Sequence, residues 1–408
     1  MKMGDKLSKF FEEYLNKEPL FINKKILQSG YTPNNIPHRD EQIKQLAKVL
    51  APALRMEKPS NVFIYGKTGS GKTCVSQYVV NEIYETCKKN KLNVNIYYLN
   101  CKMKKVADTE YRLVAELARG FGAEVPATGL PTEEVYKIFI NTIESKKQLL
   151  ILILDEIDQL VKKMGDGILY NLTRLNSELK NCEMAFVGIS NDLTFTENLD
   201  PRVKSSLSEE ELVFPPYNAI QLQDILRDRA KLAFRPNIVE EGVIEKCAAY
   251  AAREHGDARR ALELLRVAGE LSERDNAPKL SIKYIDEAEN KIERDRVLDI
   301  IKTQPKQQQL TTYSILEFYN TGKKIFTGEI YEYYLDLCKK VGLKPLTQRR
   351  ISDIIAELDM LGMINAKVVS KGRYGRTREI QVLIPSSNLL KIREALKEGL
   401  GLWILQII

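Results

Sequence analysis

Residues 66–73 read GKTGSGKT, and this stretch decides the fold class of the 408-residue chain. It matches the pattern G-x-x-x-x-G-K-[ST] and lies between an apolar run, NVFIY at 61–65, and a helical pattern over 72–89. The glycines let the backbone curl so that its amides face phosphate oxygens, and the helix start adds partial positive charge. The stretch therefore predicts a loop that binds a nucleoside triphosphate. A glycine-rich turn with a chance lysine is the alternative interpretation.

Two side chains at the end of the stretch carry the expected chemistry. Lys72 is long enough to reach the β- and γ-phosphates, and Thr73 offers a hydroxyl to Mg²⁺. The predicted ligand is therefore ATP or ADP with Mg²⁺. The nucleotide-binding residues predicted from the stretch are Gly66, Lys67, Thr68, Gly69, Ser70, Gly71, Lys72, Thr73 and the next residue, Cys74.

A second motif supports this interpretation, because the apolar run LLILIL at 149–154 ends in two carboxylates. At the end of a buried strand, Asp155 would hold Mg²⁺ through water, and Glu156 would polarise the attacking water. Paired acids are also favourable at the start of a helix, so a purely structural role is the alternative.

Two more polar side chains suit recognition of the γ-phosphate. Asn191 follows the fourth predicted strand within ISND (189–192), and Arg259 lies at a predicted helix start within GDAR (256–259). Both are placed to reach the phosphates from outside the loop. The alternatives are an asparagine in a turn and an arginine on the surface.

Four short apolar strands separated by helical patterns predict a parallel sheet covered by helices on both faces. Beyond Phe214 the strand signal ends, and residues 218–290 read as consecutive helices of a small helical domain. The predicted strands are 61–65, 94–99, 149–154 and 184–189, and the helical breaks fall at 235–237, 255–257 and 276–278.

The last quarter of the chain follows a helical connector at 291–310 and has the pattern of a winged helix-turn-helix, three helices and then a hairpin. Thr327 and Thr347 are predicted N-caps, because a threonine hydroxyl can satisfy free backbone N–H groups at a helix start. The predicted helices are 307–319, 328–341 and 347–361, and the strands are 364–370 and 377–384, joined by a tight turn at 371–376.

All the excess positive charge lies in this last part. Residues 300–408 hold 17 lysines and arginines against 10 acids, whereas residues 1–299 hold 45 of each. A neutral body with a basic end indicates a separate module for a polyanion, with a merely solvated surface as the alternative. A recognition helix meets base edges with its first turn, and a basic hairpin tip suits phosphate or minor-groove contacts. The predicted DNA-binding residues are Thr347, Gln348, Arg349 and Arg350 on the helix, and Lys371, Arg373, Tyr374 and Arg376 in the turn.

Composition argues against several other classes. The longest aliphatic run, at 149–154, has six residues, against the ~20 of a membrane-spanning helix. Six cysteines without a Cys-x-x-Cys pair, together with only two histidines, argue against a zinc site. The charged N-terminus does not read as a signal peptide, so free cysteines favour a cytoplasmic protein with no membrane partner.

Taken in order, the motifs resemble those of the archaeal replication initiators, AAA+ proteins related to the eukaryotic origin recognition complex and the cell-division-cycle helicase loader. The resemblance rests on the phosphate loop, LDE at 154–156, SNDL at 190–193, GDARRALELLR at 256–266 and the terminal winged helix. It implies an α/β AAA+ P-loop domain, a helical lid domain and a C-terminal winged helix-turn-helix domain. The bounds expected are an N-terminal arm at 1–20, the AAA+ domain at 21–216, the lid at 217–295, the winged helix at 296–395 and an apolar tail at 396–408.

The resemblance also implies roles for single residues. Inserted helices within 101–135 would touch DNA and distort it. Arg202 matches the arginine-finger position, and whether it acts on a neighbouring subunit's nucleotide stays open. The residues implied are Ile36, Pro37, His38 and Arg39 around the adenine with Tyr217 close by, Asn191 as the first sensor, Arg259 as the second, and Arg202 as the arginine finger.

The function implied is that of an ATP-regulated initiator that marks origins on double-stranded DNA and helps load the replicative minichromosome maintenance helicase. Its partners would be origin DNA, the helicase and paralogous initiator subunits, and its ATPase activity would be slow, acting as a switch. One alternative is a transcriptional or signalling AAA+ ATPase with a winged helix. The other is a clamp-loader subunit, although the finger segment here reads Asp200-Pro201-Arg202 instead of Ser-Arg-Cys, and clamp loaders lack a winged helix.

Overall fold

The chain divides into two compact units, Met1–Ala288 and Glu289–Ile408. Within the described part of the chain, no helix combines the length and the apolar character that crossing a membrane requires. The computed structural model describes residues 18–33, 35–102, 108–126, 128–207, 209–322, 324–370, 376–384 and 386–402.

A parallel sheet of five strands forms the centre of the first unit. Its strands are β1 (Asn61–Gly66), β2 (Val94–Asn100), β3 (Gln148–Asp155), β4 (Cys182–Ser190) and β5 (Glu209–Phe214). Their order in the sheet is β2-β3-β4-β1-β5, with every neighbouring pair parallel. The four predicted strands are therefore confirmed.

Helices cover both faces of the sheet, as the sequence predicted. In β3, Leu150 and Leu152 belong to one apolar core and Ile151 and Ile153 to the other, because successive strand residues point to opposite faces. The helices of this domain are α1 (Asp40–Leu50), α2 (Lys72–Lys89), α3 (Glu110–Gly120), α4 (Thr132–Glu144), α5 (Ile157–Met164), α6 (Gly167–Glu178) and α7 (Pro201–Leu207). Helices α1 and α2 pack on one core, and α3 to α7 pack on the other.

Strand β5 is absent from the sequence prediction, which found only four strands. It pairs with β1 along its whole length and lies at the edge of the sheet. It begins with three glutamates at 209–211, and Val213 within it is 57% exposed. An edge strand that faces solvent needs no apolar run, so the pattern that revealed the buried strands was missing here.

Four helices follow the sheet, in agreement with the predicted helical domain. A capping box between Asn218 and Gln221 begins the first of them. The fourth helix continues into the predicted connector, and the division between the two units falls within it. The helices are α8 (Ala219–Ala233), α9 (Val243–Arg253), α10 (Ala258–Arg274) and α11 (Ile282–Thr303).

The second unit has the winged helix-turn-helix arrangement that the sequence predicted. A short strand that was not predicted, β6, completes an antiparallel sheet in the order β6-β8-β7. One apolar core joins the helices and the sheet. The elements are α12 (Lys306–Tyr319), β6 (Ile325–Phe326), α13 (Thr327–Val341), α14 (Gln348–Met360), β7 (Ile364–Ser370), β8 (Arg376–Val382) and α15 (Ser386–Leu400).

The two predicted N-caps have different outcomes. Thr347 caps α14, because its Oγ1 accepts the N–H of Arg350 at 3.4 Å. The prediction for Thr327 is wrong: Phe326 occupies the cap position, and the Thr327 hydroxyl donates to the carbonyl of Arg378 in the sheet. A threonine hydroxyl can bond a neighbouring strand as well as its own helix, and the sequence alone does not separate the two.

Helix α15 was not predicted either. Its residues Leu396 and Leu400, placed in the apolar tail by the sequence analysis, are buried in the core of the second unit. The described start of the tail therefore packs on the winged helix. Residues 403–408, with the only tryptophan, lie outside the described residues.

Candidate functional site

The sheet order brings the predicted site residues to one edge. Strands β3, β4 and β1 are neighbours, so the segments that follow them lie side by side. The phosphate loop follows β1, β3 ends at Asp155, and Asn191 comes directly after β4. Ligands of open parallel sheets bind at the carboxyl ends of the strands, which makes this edge the candidate site.

Lys72 lies at the start of α2 with its ammonium fully engaged. Its Nζ donates to the carbonyls of Gly66 and Lys67 at 2.7 and 2.9 Å, and to Oδ1 of Asn191 at 2.8 Å. Burial, with help from the charge of Arg259, lowers the pKa of Lys72 to about 8, against the opposing effect of nearby carboxylates. Lys72 is therefore held at the point where the phosphate loop meets the segment that follows β4.

Thr73 and Asp155 form an oxygen pair that suits a hard cation. The Thr73 hydroxyl donates to Oδ2 of Asp155 at 3.0 Å. The Tyr98 hydroxyl, on β2, donates to the same oxygen, and the N–H of Glu156 donates to Oδ1 at 2.9 Å. Hydroxyl and carboxylate oxygens are ligands that Mg²⁺ prefers, so the donor set fits that ion. Burial and the bond to Asp155 raise the pKa of Tyr98, which keeps its hydroxyl a donor.

Glu156 lines the site in an uncommon backbone conformation. Its φ of 56° lies in the left-handed region, which non-glycine residues rarely adopt and which is often found at active sites. Its carboxylate lies 3.6 Å from Nζ of Lys102. The backbone conformation thus sets the direction of the Glu156 side chain, and its carboxylate pairs with the ammonium of Lys102.

Asn191 is held in place by a carboxylate that the sequence analysis did not single out. Asp158 is only 3% exposed, and its Oδ1 accepts from the N–H of Asn191 and the hydroxyl of Ser190, both at 3.4 Å. Gln159 donates to its other oxygen at 2.8 Å. Asp158 therefore fixes the end of β4, and with it the Asn191 amide.

These residues line a cavity of about 570 Å³ at the sheet edge. Such a volume is in the usual range of small-molecule sites, ~300–1000 Å³. Its walls also contain residues with no sequence motif, among them Tyr31, Asp228 and Arg229. The predicted residues that line it are Ile36, Pro37, Thr68, Gly69, Gly71, Lys72, Thr73, Cys74, Asp155, Glu156, Asn191, Tyr217 and Arg259.

Other predicted residues do not line the cavity. Gly66 and Ser70 of the phosphate loop are buried, and Lys67 is exposed. His38 bonds Asp224 of α8 at 3.0 Å. Arg39 is 2% exposed, and its side chain does not line the cavity.

Arg39 joins three segments behind the cavity. Its Nε donates to the carbonyl of Ser70 at 2.9 Å, and its Nη2 donates to the carbonyl of Pro215. Its guanidinium carbon lies 3.9 Å from the centre of the Tyr217 ring. The phosphate loop is thus tied to the segment that leads into α8.

The helical domain reaches the phosphate loop directly. The N–H of Ala258 donates to the carbonyl of Gly69 at 3.2 Å, and Asp257 caps α10 through the N–H groups of Arg259 and Arg260. The exposed Arg259 side chain lines the cavity from this helix start. The described residues provide it with no ion pair, so its charge is available to a ligand.

The segment at 20–27 packs on the helical domain and not on the sheet. Strand-like bonds join it there, from the N–H of Ile22 to the carbonyl of Ala233 at 2.8 Å and from the N–H of Arg235 to the carbonyl of Leu20 at 3.1 Å. The Phe21 and Phe234 rings stack with their centres 4.5 Å apart. The described part of the chain therefore begins against the helical domain at 20–27, crosses to the sheet before α1, and returns after β5.

Arg202 lies away from the cavity. Its side chain is 83% exposed and pairs with Asp200, whose Oδ1 is 3.1 Å from Nε. The hydrogen bond and charge of Asp200 raise the pKa of Arg202. The structure does not bring this arginine to the nucleotide site of its own chain.

The predicted DNA-binding residues of α14 are exposed in its first turn, namely Gln348, Arg349 and Arg350 after the cap Thr347. Arg350 lies 3.7 Å from Asp353 and 3.9 Å from a Glu357 oxygen. For Arg349, no ion pair occurs within the described ranges. Lys371, Arg373 and Tyr374 of the predicted turn lie outside the described residues, and Arg376 begins β8.

Three family models match the chain in the order of its domains. An AAA domain matches residues 55–194, a Cdc6 AAA+ ATPase-type lid domain matches 223–290, and a CDC6 C-terminal winged helix domain matches 299–392.

Curated relatives match nearly the whole length. The ORC1-type DNA replication protein 1 of Methanosarcina mazei is 50% identical over 395 residues, 96% of this chain and 94% of that protein. The ORC1-type DNA replication protein of Pyrococcus furiosus is 52% identical over 397 residues, 96% of this chain and 93% of that protein. This chain belongs to the ORC1/Cdc6 family of DNA replication proteins.

Solved structures of the ORC1/Cdc6 family agree with the fold. The Aeropyrum pernix ORC1 protein, solved in complex with DNA, matches with a TM-score of 0.82 at 44% identity, over 96% of this chain and 100% of that chain. The ORC2 protein of the same organism matches with a TM-score of 0.57 at 21% identity, over 95% of this chain and 100% of that chain, and shares the fold. The family resemblance and the AAA+, lid and winged-helix architecture are confirmed. The AAA+ fold is a nucleotide-binding fold.

Three residues at this ORC1/Cdc6 site were not predicted from the sequence: Tyr98, Asp158 and Arg229. Tyr98 lies in a strand and Arg229 in a helix, and neither residue belongs to a sequence motif that would mark it as functional. Asp158 had a signal, because a third acid follows the LDE stretch in LDEID, at 154–158.

Proposed function

We propose that this ORC1/Cdc6 chain is an ATP-regulated initiator that binds double-stranded DNA at replication origins. One observation carries the proposal: the phosphate loop, the acid pair, Asn191 and Arg259 of the lid line a single cavity in a chain that ends in a winged helix. The Aeropyrum pernix ORC1 protein, 44% identical, was solved in complex with DNA, which supports DNA as the macromolecular ligand.

The nucleotide roles follow from the cavity walls. The amides of 68–73 and the ammonium of Lys72 would bind the phosphates of ATP or ADP. Ile36, Pro37 and Tyr217 would enclose the base, since they line the cavity beyond the loop. Thr73 and Asp155 would hold Mg²⁺, which neutralises phosphate charge when bound.

The hydrolytic roles belong to groups at the phosphate end. Glu156 would orient and polarise the attacking water, and Asn191 would bind the γ-phosphate from the end of β4. Arg259 lies in the first turn of the lid helix α10. It would bind the same phosphate, and would thereby couple the position of the lid to the bound nucleotide. Arg202 lies outside the cavity of its own chain, so it would act only on a neighbouring subunit's nucleotide. In a single chain the nucleotide site has no arginine finger, so ATP hydrolysis would be slow and would act as a switch.

The DNA roles belong to the basic C-terminal unit. The first turn of α14 would meet base edges, with Gln348 suited to adenine and arginines to guanine. The turn at 371–376 would contact phosphates or the minor groove, and the insertion within 101–135, which contains α3, would touch and distort the duplex. We place the protein on DNA in the cytoplasm, at the nucleoid. There it would recruit the replicative minichromosome maintenance helicase, together with paralogous initiator subunits.

Filter binding of the full chain to origin duplex and to a scrambled duplex of equal length tests the proposal. Preference for the origin duplex at physiological salt is expected. Equal affinity would contradict origin recognition, because phosphate contacts alone carry no sequence preference. Measuring each affinity with ATP and with ADP tests the switch; identical values for the two nucleotides would contradict ATP regulation.

A further inference from the structure

A group of lysines lies at the edge of the sheet opposite the nucleotide cavity. Strands β2, β3 and β4 are parallel neighbours, so the segments that precede them lie side by side at the amino ends of the strands. These segments and the last turn of α2 contain six exposed lysines, which we call the lysine edge: Lys88, Lys89, Lys91, Lys146, Lys147 and Lys180.

The charges of the lysine edge are not neutralised by the protein. Within the described ranges, no carboxylate forms an ion pair with any of the six ammonium groups. The segments 85–91, 144–147 and 178–183 hold six lysines against four glutamates, whereas the first 299 residues as a whole are neutral. A positive balance is therefore concentrated at one edge of an otherwise neutral unit.

One of the four glutamates, Glu144, is committed to the backbone. Its two oxygens accept from the N–H groups of residues 180–182 at distances between 2.8 and 3.2 Å. Burial acts to raise the pKa of Glu144, but these hydrogen bonds and the charge of Lys180 hold it below its ordinary value. The carboxylate thus fixes the segment that carries Lys180 and leaves the ammonium groups to an external anion.

Hydrogen bonds also join the three segments to one another. The N–H of Leu149 donates to the carbonyl of Asn93 at 3.0 Å, and the N–H of Gln148 donates to the carbonyl of Asn181 at 3.1 Å. The Asn93 amide donates to the carbonyl of Lys147. Neighbouring strands lie ~4.8 Å apart, so β2 and β4 begin ~10 Å from each other. This spacing is close to the ~12 Å width of the DNA major groove, which separates two rows of phosphates.

The backbone at Lys91 favours a use for its charge. Lys91 follows α2 with a φ of 56°, in the left-handed region, and its N–H donates to the carbonyl of Lys88 at 3.2 Å. Glycine or asparagine is usual at this place after a helix, because a larger side chain costs ~1 kcal/mol in that conformation. A cation therefore occupies a position where an uncharged glycine would be less strained.

We propose that the lysine edge is a further DNA-contacting surface, which binds the phosphates of duplex DNA without reading its sequence. This inference rests on the DNA-binding role proposed above. Lysine binds phosphate as a point charge, without the planar fork through which arginine recognises a guanine edge. A fixed array of like charges across three strand ends suits a polyanion of regular spacing. The first unit would thus hold DNA at the end of the sheet that the nucleotide does not reach.

Fluorescence anisotropy of the full chain with origin duplex and with scrambled duplex, over a series of salt concentrations, tests the proposal. The test variant removes one charge from each segment and combines Lys91→Gln, Lys147→Gln and Lys180→Gln. We expect it to bind both duplexes about tenfold or more weakly at low salt, with a slope of log affinity against log salt that is shallower by about two to three. The preference for origin duplex should stay at the wild-type value, because phosphate contacts carry no sequence information.

The matched control loses the same charge elsewhere on the first unit. Its three lysines are exposed and form no ion pair in the described part of the chain: Lys25, Lys44 and Lys279, each changed to Gln. Bound ADP and the thermal unfolding temperature at wild-type values show that each variant is folded. If the test variant unfolds, the other half of the lysine edge carries the same expectation, through Lys88→Gln, Lys89→Gln and Lys146→Gln.

Three results would overturn the proposal. Wild-type affinity and salt slope in the test variant would show that the lysine edge does not touch DNA, and would favour an acidic protein as its partner. An equal loss in the control would show that total charge matters and its position does not. A loss confined to origin duplex would place these lysines at base edges instead of phosphates. If the wild-type chain bound neither duplex, the DNA-binding role itself would fail, which is a different result.

Discussion

Nζ of Lys72 lies 2.8 Å from Oδ1 of Asn191, so the phosphate-loop cation and the side chain after β4 meet at one point. The two residues follow different strands, β1 and β4, and lie 119 positions apart in the sequence. The hydrogen bond fixes the distance between the phosphate loop and Asn191, the proposed sensor, so a γ-phosphate bound there would contact both.

Lys72→Ala should abolish nucleotide retention. The substitution removes the only ammonium placed among the phosphate-loop carbonyls in the described structure, and with it the charge that would offset the phosphates. Nucleotide content of the purified protein, measured by chromatography after denaturation, checks this. Lys88→Ala, on the exposed end of the same helix, should keep its nucleotide; ATP or ADP at wild-type level in Lys72→Ala would overturn the site assignment.

Nucleotide affinity should fall as the pH rises above about 8. The pKa of Lys72 is lowered to about 8, so the free site is protonated below that pH and loses the proton above it. Phosphates bind the protonated form and raise its pKa, so binding above pH 8 takes up a proton. Affinity should therefore drop by up to about tenfold per pH unit there. Calorimetry at pH 8.5 in two buffers with different ionisation enthalpies measures the proton uptake; no uptake would contradict the prediction.

Tyr98→Phe should weaken the effect of Mg²⁺ on nucleotide binding. The change removes a hydroxyl that donates to Asp155 and leaves the carboxylate oriented by Thr73 and a backbone N–H. A lost hydrogen bond of about 1 kcal/mol corresponds to roughly a fivefold higher Mg²⁺ requirement. ADP affinity titrated with Mg²⁺, and repeated with EDTA, separates this from general damage. Tyr97→Phe, whose hydroxyl bonds a helix carbonyl at 3.4 Å, is the control; equal curves for both variants would count against the role.

Gly69→Ala should separate the lid from the phosphate loop, because the added methyl group would collide with Asp257 of the lid. A Cβ at this position would lie 1.8 Å from Oδ1 and 2.9 Å from Cα of Asp257, and the φ of 72° is itself unfavourable for alanine. ADP affinity should fall by at least tenfold, more than the ~1 kcal/mol of backbone strain explains. Gly122→Ala is the control, because it has a φ of 92° and open space around its Cβ. Similar ADP affinities in the two variants would show that contact with Asp257 has no effect.

Arg349→Ala should weaken binding to origin duplex and relax sequence preference. The side chain is exposed in the first turn of α14 and forms no ion pair within the described part of the chain. A lost base contact costs about 1–3 kcal/mol. Competition with scrambled duplex at constant salt measures the preference, and Lys339→Ala, an exposed residue of α13, serves as the control. A uniform loss on both duplexes would instead indicate a phosphate contact.

Local sequence was sufficient for the parts of the molecule that depend on short motifs. The phosphate loop needs its glycines and lysine in consecutive positions, and the buried strands need unbroken apolar runs, so both were predicted in place. The capping role of Thr347 was predicted for the same reason, since the hydroxyl and its partner are three residues apart.

The remaining features depend on partners distant in the chain. Strand β5 exists because β1 offers it an edge, and Tyr98 has a role only because β2 lies beside β3, which places its hydroxyl at Asp155. Arg229 is an ordinary helical arginine until the fold encloses it beside Tyr31. A single sequence carries no local signal for such pairs.

The chain crosses between the helical domain and the sheet twice, before α1 and after β5. Arg39, at the end of the first crossing, bonds Ser70 of the phosphate loop and Pro215 of the second crossing. A body attached at two points can rotate only about the line that joins them. Such a hinge would reduce the motion of the lid to one angle, with its pivot beside the phosphate loop. The opening angle of the lid alone would then distinguish the ATP-bound from the ADP-bound protein.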